Sequence, residues 1–276
     1  MEAVLYVSHG SRIAAARHEA ARFVEQCSRA IDIPIQELCF VELAEPDIVT
    51  GVDRCVAQGA TRVIVVPLLL LSAGHAKHDI PAALDIARRH HPSVDILCGA
   101  PFGVHEAMID IMIDIMIDRI SEQSAPLDGE SMILLVGRGS SDPDAKRDMS
   151  AIAALLKEKT NVPHVDVCFL AAIRPTLDEG LERAHASGYR RVFVVPYLLF
   201  TGVLMKTIER KLQGFSVSDK EWHLCSYLGG HPRLVLLIQQ QILSLSSVKK
   251  ELEPSSSFFS CTFRLTYYMM EAEQPS

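Results

Sequence analysis

Several features that would place this 276-residue chain in a specialised class are missing from its sequence. The seven cysteines are an odd number at scattered positions without a C-x-x-C pair, which argues against a disulfide framework and against metal or redox duty for the thiols. Cys39, Cys98 and Cys168 lie in apolar, strand-like runs, where we expect them to be buried as small hydrophobes. No apolar run approaches the roughly 20 residues that cross a bilayer, and no basic leader precedes the first predicted strand.

Positive charge is scarce as well, because the net charge is −7 and no dense run of Lys or Arg occurs. A nucleic-acid-binding protein normally carries a basic stripe that displaces counterions from phosphate. Hydrophobic residues make up 49% of the chain and charged residues 22%, which is typical of a globular protein. We therefore expect a soluble, cytoplasmic protein that binds neither nucleic acid nor membrane.

The chain contains an internal repeat. Residues 7–11 (VSHGS) return as residues 136–140 (VGRGS), and residues 65–70 (VVPLLL) return as residues 194–199 (VVPYLL), both at an offset of 129 positions. Self-similarity at a fixed offset indicates a duplicated domain. We predict an N-terminal α/β domain at residues 1–124, its duplicate at residues 125–248, and a tail of unassigned role at residues 249–276.

Short β-branched runs alternate with amphipathic stretches in both copies. The predicted strands are residues 3–8, 35–41, 62–68, 94–98, 132–137, 164–170, 191–197 and 222–226. Pro46, Pro143 and Pro175 are predicted to stand at the first position of a helix, where a missing N–H costs nothing. The pattern of residues 108–120 predicts a buried helix with one solvent-exposed edge, formed by Asp110, Asp114 and Asp118. Four β-α units in each copy predict two tandem domains, each a mostly parallel four-stranded sheet flanked by helices.

The two copies differ at three positions where the first copy has side chains that can bind a metal ion. His9, Glu42 and His75 of the first copy correspond to Arg138, Ala171 and Leu204 of the second. The first three follow predicted strands, so they should meet at the carboxyl edge of one sheet, where ligands bind in open α/β folds. Two imidazoles and a carboxylate suit borderline divalent ions such as Fe(II), Co(II) or Ni(II). The sequence therefore predicts one metal site, in the first copy only.

Longer motifs around these residues match a known family. They are residues 9–12 (HGSR), Glu42 ahead of Glu45-Pro46, residues 66–81 (VPLLLLSAGHAKHDIP) and residues 137–143 (GRGSSDP). With these motifs the chain resembles the class II tetrapyrrole chelatases, and among them the two-domain bacterial sirohydrochlorin ferrochelatases. The resemblance covers about residues 1 to 245 and leaves out the tail.

The resemblance implies a lyase that inserts Fe(II) into sirohydrochlorin, giving sirohaem and releasing two protons. It also implies an active-site cleft between the two domains and no permanently bound cofactor, with the metal ion and sirohydrochlorin as the partners. His9 and His75 would present the metal and accept protons, and Glu42 would assist them. The substrate carries many carboxylates, so we expect it to be bound by the residues Ser11, Arg12, Lys77, Arg138, Arg174 and Lys206.

Three other functions compete with this one. The same reaction with Co(II), leading to cobalamin, is disfavoured by the resemblance, because long cobalt-specific members of the family often carry a His-rich or cysteine-motif extension, and the sequence after Lys249 contains no His and only Cys261. A non-catalytic metal or tetrapyrrole carrier would use the same ligands and differs by its lack of turnover. A phosphohistidine phosphatase is excluded because Ser8 stands where that chemistry needs arginine. One chain supplies both walls of a cleft, so a monomer suffices.

Overall fold

Two parallel four-stranded sheets organise the molecule. The computed structural model describes residues 1–123, 126–215 and 219–247, and the predicted tail lies outside them. The first sheet contains β1 (Glu2–Ser8), β2 (Ile35–Phe40), β3 (Arg62–Leu68) and β4 (Asp95–Cys98), and the second contains β5 (Ser131–Gly137), β6 (His164–Phe169), β7 (Arg191–Tyr197) and β8 (Glu221–Leu224). Their orders are β2-β1-β3-β4 and β6-β5-β7-β8. The central strands are apolar along their length because both of their faces are buried.

Eight α-helices and one π-helical turn connect the described strands. They are α1 (Ala14–Ala30), α2 (Ile48–Ala57), the π-helical turn His75–Asp79, α3 (Ile80–His90), α4 (Glu106–Gln123), α5 (Pro143–Thr160), α6 (Leu177–Ala186), α7 (Val203–Gln213) and α8 (Pro232–Ser246). The predicted fold class, two tandem four-stranded parallel sheets flanked by helices, is confirmed. The domain limits at residues 124 and 125 stay a prediction, because both residues lie outside the described part of the chain.

Two of the three predicted helix starts are wrong. Pro143 begins α5 behind the capping residue Asp142, as predicted. Pro46 and Pro175 instead follow cis peptide bonds and lie two residues before their helices. Their carbonyl oxygens accept hydrogen bonds from Phe40 and Phe169 N–H at 2.9 Å, which ties each proline to the end of a strand. The helices begin later because Asp47 and Thr176 act as the capping residues.

The last helix of each half packs on the other half. Helix α4 contacts α5 and β7 of the second half, and α8 contacts α1 and β3 of the first. One buried apolar cluster consequently includes a face of both sheets together with α4 and α8, whereas the outer faces have separate clusters. On α4, Asp110 pairs with Lys159 of α5 at 2.9 Å and Asp114 with Arg233 of α8 at 3.3 Å. The two halves therefore share their central core.

Burial differs among the three cysteines expected in strands. Cys39 and Cys168 are buried at equivalent positions of β2 and β6. The prediction for Cys98 is wrong, because it ends the short edge strand β4 and is exposed. No helix in the described residues is long and apolar enough to cross a bilayer, the Ile- and Met-rich α4 included.

The shared core predicts that the two halves unfold together. Met112 of α4 is fully buried in it, so we expect Met112→Ala to lower the free energy of unfolding by about 2 to 5 kcal/mol. Calorimetry should still record a single transition. Ile117→Ala on the same helix is the control, because Ile117 is 51% exposed, and should change stability by about 0.5 kcal/mol or less. Two transitions, with Met112→Ala moving only one of them, would contradict a shared core.

Candidate metal centre

Three strand ends of the first sheet bring His9, Glu42 and His75 together. His9 directly follows β1, Glu42 lies just after β2, and His75 opens the π-helical turn after β3. One ligand atom of each lies within 4.8 Å of the others. Glu42 Oε1 is 3.6 Å from His9 Nε2 and 3.8 Å from His75 Nε2, and the two imidazole rings are perpendicular with centroids 4.6 Å apart. The convergence expected from the strand order is present.

A backbone contact fixes the distance between His9 and Glu42. Glu42 N–H donates to the His9 carbonyl oxygen at 3.1 Å. Gly10 makes this approach possible: its φ is +93°, and a Cβ atom at this position would lie 1.8 Å from the Glu42 carbonyl oxygen. Only glycine combines that conformation with that proximity. The loop after β1 and the loop after β2 are therefore held together by main-chain atoms, which leaves the two side chains free to approach each other.

Each imidazole is held through Nδ1 and presents Nε2 to the site. The Nδ1 atom of His9 is 3.2 Å from the Gly10 carbonyl oxygen, and that of His75 is 2.6 Å from Asp79 Oδ2. The Nε2 atom of His9 is buried and has no hydrogen-bond partner among the described residues. A buried polar atom without a partner is costly unless a ligand satisfies it. The arrangement therefore leaves a nitrogen lone pair directed at Glu42 and His75.

Electrostatics favour the neutral form of His9. Burial lowers the pKa of His9 below its ordinary value, and the positive charge of Arg138 and the nearby His75 lower it further. Burial also lowers the pKa of Arg138, while Glu42 acts in the opposite direction. A neutral imidazole is the form that binds a metal ion or accepts a proton. His9 is consequently ready for either role near neutral pH.

A large cavity between the two halves opens onto this site. Its volume is about 980 Å³, and both halves line it. Apolar side chains form much of the wall, namely Leu68, Leu69, Leu70, Leu71, Met149, Tyr197, Leu198, Leu199 and Phe200. A cavity of this size and character fits a sizeable, largely apolar molecule with a few polar groups to orient it. The imidazoles of His9 and His75 line the cavity, and with the adjacent Glu42 carboxylate they offer three ligands and leave coordination positions open toward such a molecule.

The second half repeats the backbone of the site without its ligands. Ala171 N–H donates to the Arg138 carbonyl oxygen at 2.9 Å, and Gly139 has a φ of +89° with its virtual Cβ 1.9 Å from the Ala171 carbonyl oxygen. Arg138, Ala171 and Leu204 all line the cavity. Near Leu204 the backbone differs, because α7 begins there as an ordinary helix without a π-helical turn. In the described chain, the grouping of three metal-ligand side chains occurs only in the first half.

The predicted substrate-binding residues divide into two groups. Ser11 and Arg138 line the cavity, whereas Arg12, Lys77, Arg174 and Lys206 do not. Lys77 Nζ lies 2.6 Å from both Asp142 Oδ2 and Asp144 Oδ2. These carboxylates raise the pKa of Lys77. They also form salt bridges with it between the two halves, so its charge already has protein partners.

Arg174 and the two remaining cations are exposed and do not line the cavity. Arg174 pairs with Glu179 of α6, and Arg12 and Lys206 are exposed. The partner of Arg174 is five positions along the chain, whereas the acidic partners of Lys77 are more than sixty positions away and no local pattern indicates them.

Two basic residues of the cavity escaped the sequence analysis. Arg17 lines the cavity and donates from Nη1 to the Ser11 carbonyl oxygen at 2.7 Å. His78 also lines it, beside Asp79 of the π-helical turn. Helical spacing could have indicated Arg17. Ala16, Arg17 and Ala20 lie on the side of α1 that faces the cavity, shortly after the HGSR motif. Arg17 and Arg138 therefore face one cavity from opposite halves.

Known proteins resemble the chain over most of its length. The CbiX family model matches residues 3–122 and again residues 132–245. A sirohydrochlorin ferrochelatase of Priestia megaterium is 48% identical over 90% of this chain and 92% of its own. A sirohydrochlorin cobaltochelatase of the same organism is 38% identical over 87% of this chain and 79% of its own. The solved structure of SirB from Bacillus subtilis with Fe3+ has a TM-score of 0.79 and 42% identity, covering 89% of this chain and 96% of that one.

The contact at Gly10 can be tested with a matched pair of glycines. We predict that Gly10→Ala displaces the Glu42 backbone and weakens Co(II) binding at least about 10-fold, on the scale seen when a metal-ligand support is lost. Gly59→Ala is the control, because Gly59 has a similar φ of +95° but open space around its virtual Cβ. It should cost about 1 kcal/mol of stability and leave Co(II) binding unchanged. Equal Co(II) affinity in both variants would contradict the role of the backbone contact.

The electrostatic effect of Arg138 on His9 is measurable by NMR. In the metal-free protein we predict that His9 titrates below the ordinary histidine pKa of about 6.5. Arg138→Gln removes a positive charge that disfavours the imidazolium, so the His9 pKa should rise. Lys206→Gln, at an exposed position outside the cavity, should leave it unchanged. A His9 pKa that is insensitive to Arg138→Gln would show that Arg138 does not act on this imidazole.

Proposed function

This chain belongs to the CbiX family, and we propose that it is a sirohydrochlorin ferrochelatase, a lyase that inserts Fe(II) into sirohydrochlorin to form sirohaem. The observation that carries the proposal is the convergence of His9, Glu42 and His75 beside a cavity of about 980 Å³ that the two histidines line. The ferrochelatase relative aligns with 90% of the chain, so it has counterparts of both halves. The metal ion is a substrate here and leaves within the product.

Metal insertion requires an ion to be delivered while two pyrrolic protons are removed. We assign His9, Glu42 and His75 to the metal, because two imidazoles and a carboxylate hold Fe(II) without closing its coordination sphere. An open site lets the ion pass to the ring nitrogens. Two N–H protons of the macrocycle leave as the dication enters, so the ring gains no net charge. Once the ion has passed to the ring, the Nε2 atoms that it leaves on His9, which burial keeps neutral by lowering its pKa, and on His75 would accept these two protons.

The macrocycle itself would lie against the leucine-rich wall of the cavity. Burial of apolar surface supplies the driving force for such binding, and the peripheral carboxylates need cationic partners. We propose Arg138 and Arg17 for this role, since both line the cavity and a guanidinium binds a carboxylate through two parallel hydrogen bonds. Ser11 is placed beside them. Lys77 and Arg174 have acidic protein partners, and Arg12 and Lys206 lie outside the cavity, so they are less suited.

Cobalt insertion is the second candidate reaction. A relative that shares 38% identity over 87% of the chain is a sirohydrochlorin cobaltochelatase. The ligand set does not decide between the ions, because imidazole and carboxylate bind Co(II) as readily as Fe(II). Iron is favoured by the higher identity of the ferrochelatase relative, 48%.

We also propose that a single chain works alone in the cytoplasm without a permanently bound cofactor. One chain provides both walls of the cavity, and an odd number of cysteines without paired motifs suits a reducing compartment. The net charge of −7 is unfavourable for nucleic-acid binding.

The metal ligands are tested by three substitutions in the cavity. We predict that His9→Ala and His75→Ala each lower kcat/KM for metal insertion at least about 100-fold, in line with the loss of a ligand and proton acceptor. Leu204→Ala is the control, because Leu204 lines the cavity at the position that corresponds to His75. The absorbance of sirohydrochlorin under anaerobic conditions, with Fe(II) and Co(II) in parallel, is the measurement. Wild-type rates in either histidine variant would refute the assignment.

A carrier differs from an enzyme in the same assay. Multiple turnovers per protein molecule are expected for a chelatase. A single stoichiometric burst of product would instead support a carrier that retains its ligand.

A further inference from the structure

His75 is held by a carboxylate that has no counterpart in the second half. The Nδ1 atom of His75 lies 2.6 Å from Asp79 Oδ2, while its Nε2 atom lies 3.8 Å from Glu42 Oε1. A carboxylate only accepts hydrogen bonds, so the proton of this imidazole is drawn to Nδ1. The lone pair is left on Nε2, which is the atom that faces the metal ligands.

A local change of helix geometry brings the two side chains together. His75 and Asp79 are the first and last residues of the π-helical turn, in which Ile80 N–H donates to the His75 carbonyl oxygen. Such wider turns are rare and often occur at functional sites. The turn is also anchored across the cleft, because Lys77 binds Asp142 and Asp144. His75 is therefore presented on a segment that is fixed at its centre and at its end.

The second half lacks both the ligand and its partner. At the 129-residue offset, Leu204 replaces His75 and Ile208 replaces Asp79. Ile208 is fully buried in the outer core of that half, and α7 starts without a π-helical turn. The carboxylate therefore occurs only in the half that holds the metal ligands, although the surrounding strands are repeated.

The two imidazoles are oriented by different acceptors. His9 faces the Gly10 carbonyl oxygen at 3.2 Å, which is a neutral and longer contact than the one between His75 and Asp79. A carboxylate on the outer nitrogen of a histidine fixes its tautomer and ring orientation and strengthens the inner nitrogen as a ligand. This difference makes His75 the firmer of the two metal ligands.

We infer that Asp79 is a positioning residue that holds His75 with Nε2 directed at the incoming metal ion. The inference rests on the proposed function only in treating the bound ion as the substrate metal. The contact between Asp79 and His75 is present in the protein whatever reaction it catalyses. Asp79 acts on the ion through His75. Because Asp79 also lines the cavity, the KM for sirohydrochlorin is needed to separate this role from a contact with the macrocycle. Loss of such a partner typically weakens metal affinity or activity 10- to 100-fold.

The test compares Asp79→Asn and Asp79→Ala with the control Asp85→Asn. Asp85 is an exposed residue of α3 that pairs with Arg88 and lies outside the cavity lining. Co(II) is titrated into the full-length protein, and its affinity and visible absorption spectrum are recorded. Metal insertion is then measured to give separate KM values for the metal and for sirohydrochlorin.

We expect about 10- to 100-fold weaker Co(II) binding in both Asp79 variants, with an altered spectrum and a raised metal KM. The KM for sirohydrochlorin should not change, and Asp85→Asn should match the wild type. Asn preserves the size of the side chain but removes its charge, and its amide also donates, so it no longer imposes one tautomer. It therefore remains informative if the alanine variant fails to fold.

Two outcomes would overturn the inference. Wild-type Co(II) affinity in Asp79→Asn would show that the carboxylate does not control His75. An equal rise of both KM values would show that Asp79 only supports the cavity wall. Failure of the proposed function is a separate outcome. If the wild type inserts no metal but the Asp79 variants bind Co(II) more weakly than it does, Asp79 positions His75 in a protein that is not a chelatase.

Discussion

The site depends on one main-chain contact, the approach of the loop after β1 to the loop after β2. Glu42 N–H reaches the His9 carbonyl oxygen at 3.1 Å, and this is compatible only with glycine at position 10. The same contact recurs between Arg138 and Ala171 in the second half. Because the backbone defines the geometry, the side chains at these positions could change without loss of the fold. The duplication therefore preserved a scaffold while its two copies came to carry different chemistry.

The two halves present different side chains to the resulting cavity. The first half contributes the imidazoles of His9 and His75, with Glu42 beside them, and the second contributes the guanidinium of Arg138 in the place of His9. Burial and the positive charge of Arg138 lower the pKa of His9, which favours the neutral imidazole that can bind a metal ion. A dication and a ring that carries carboxylates need such different surroundings. A cavity with a repeated backbone and different side chains in its two halves provides both surroundings within one chain.

The features that could be predicted from the sequence are those that neighbouring residues or the repeat decide. Strand ends and the convergence of His9, Glu42 and His75 follow from local patterns and from the rule that parallel strands share a carboxyl edge. Contacts with a partner far along the chain could not be predicted. Lys77 meets Asp142 and Asp144, and no pattern near Lys77 predicts that.

Two further features depend on packing or backbone details that a sequence pattern does not report. The exchange of α4 and α8 between the halves arises from the burial of both helices in a shared core. The role of Asp79 depends on the π-helical turn that brings it to His75, and apolar periodicity does not distinguish such a turn from an ordinary helix. The central claim, a single metal site in the first half, is tested most directly by titrating the protein with Co(II) and determining the ligands by X-ray absorption. The account predicts one ion per chain, bound by two imidazoles and a carboxylate. Two ions per chain, or one ion without histidine ligands, would contradict it.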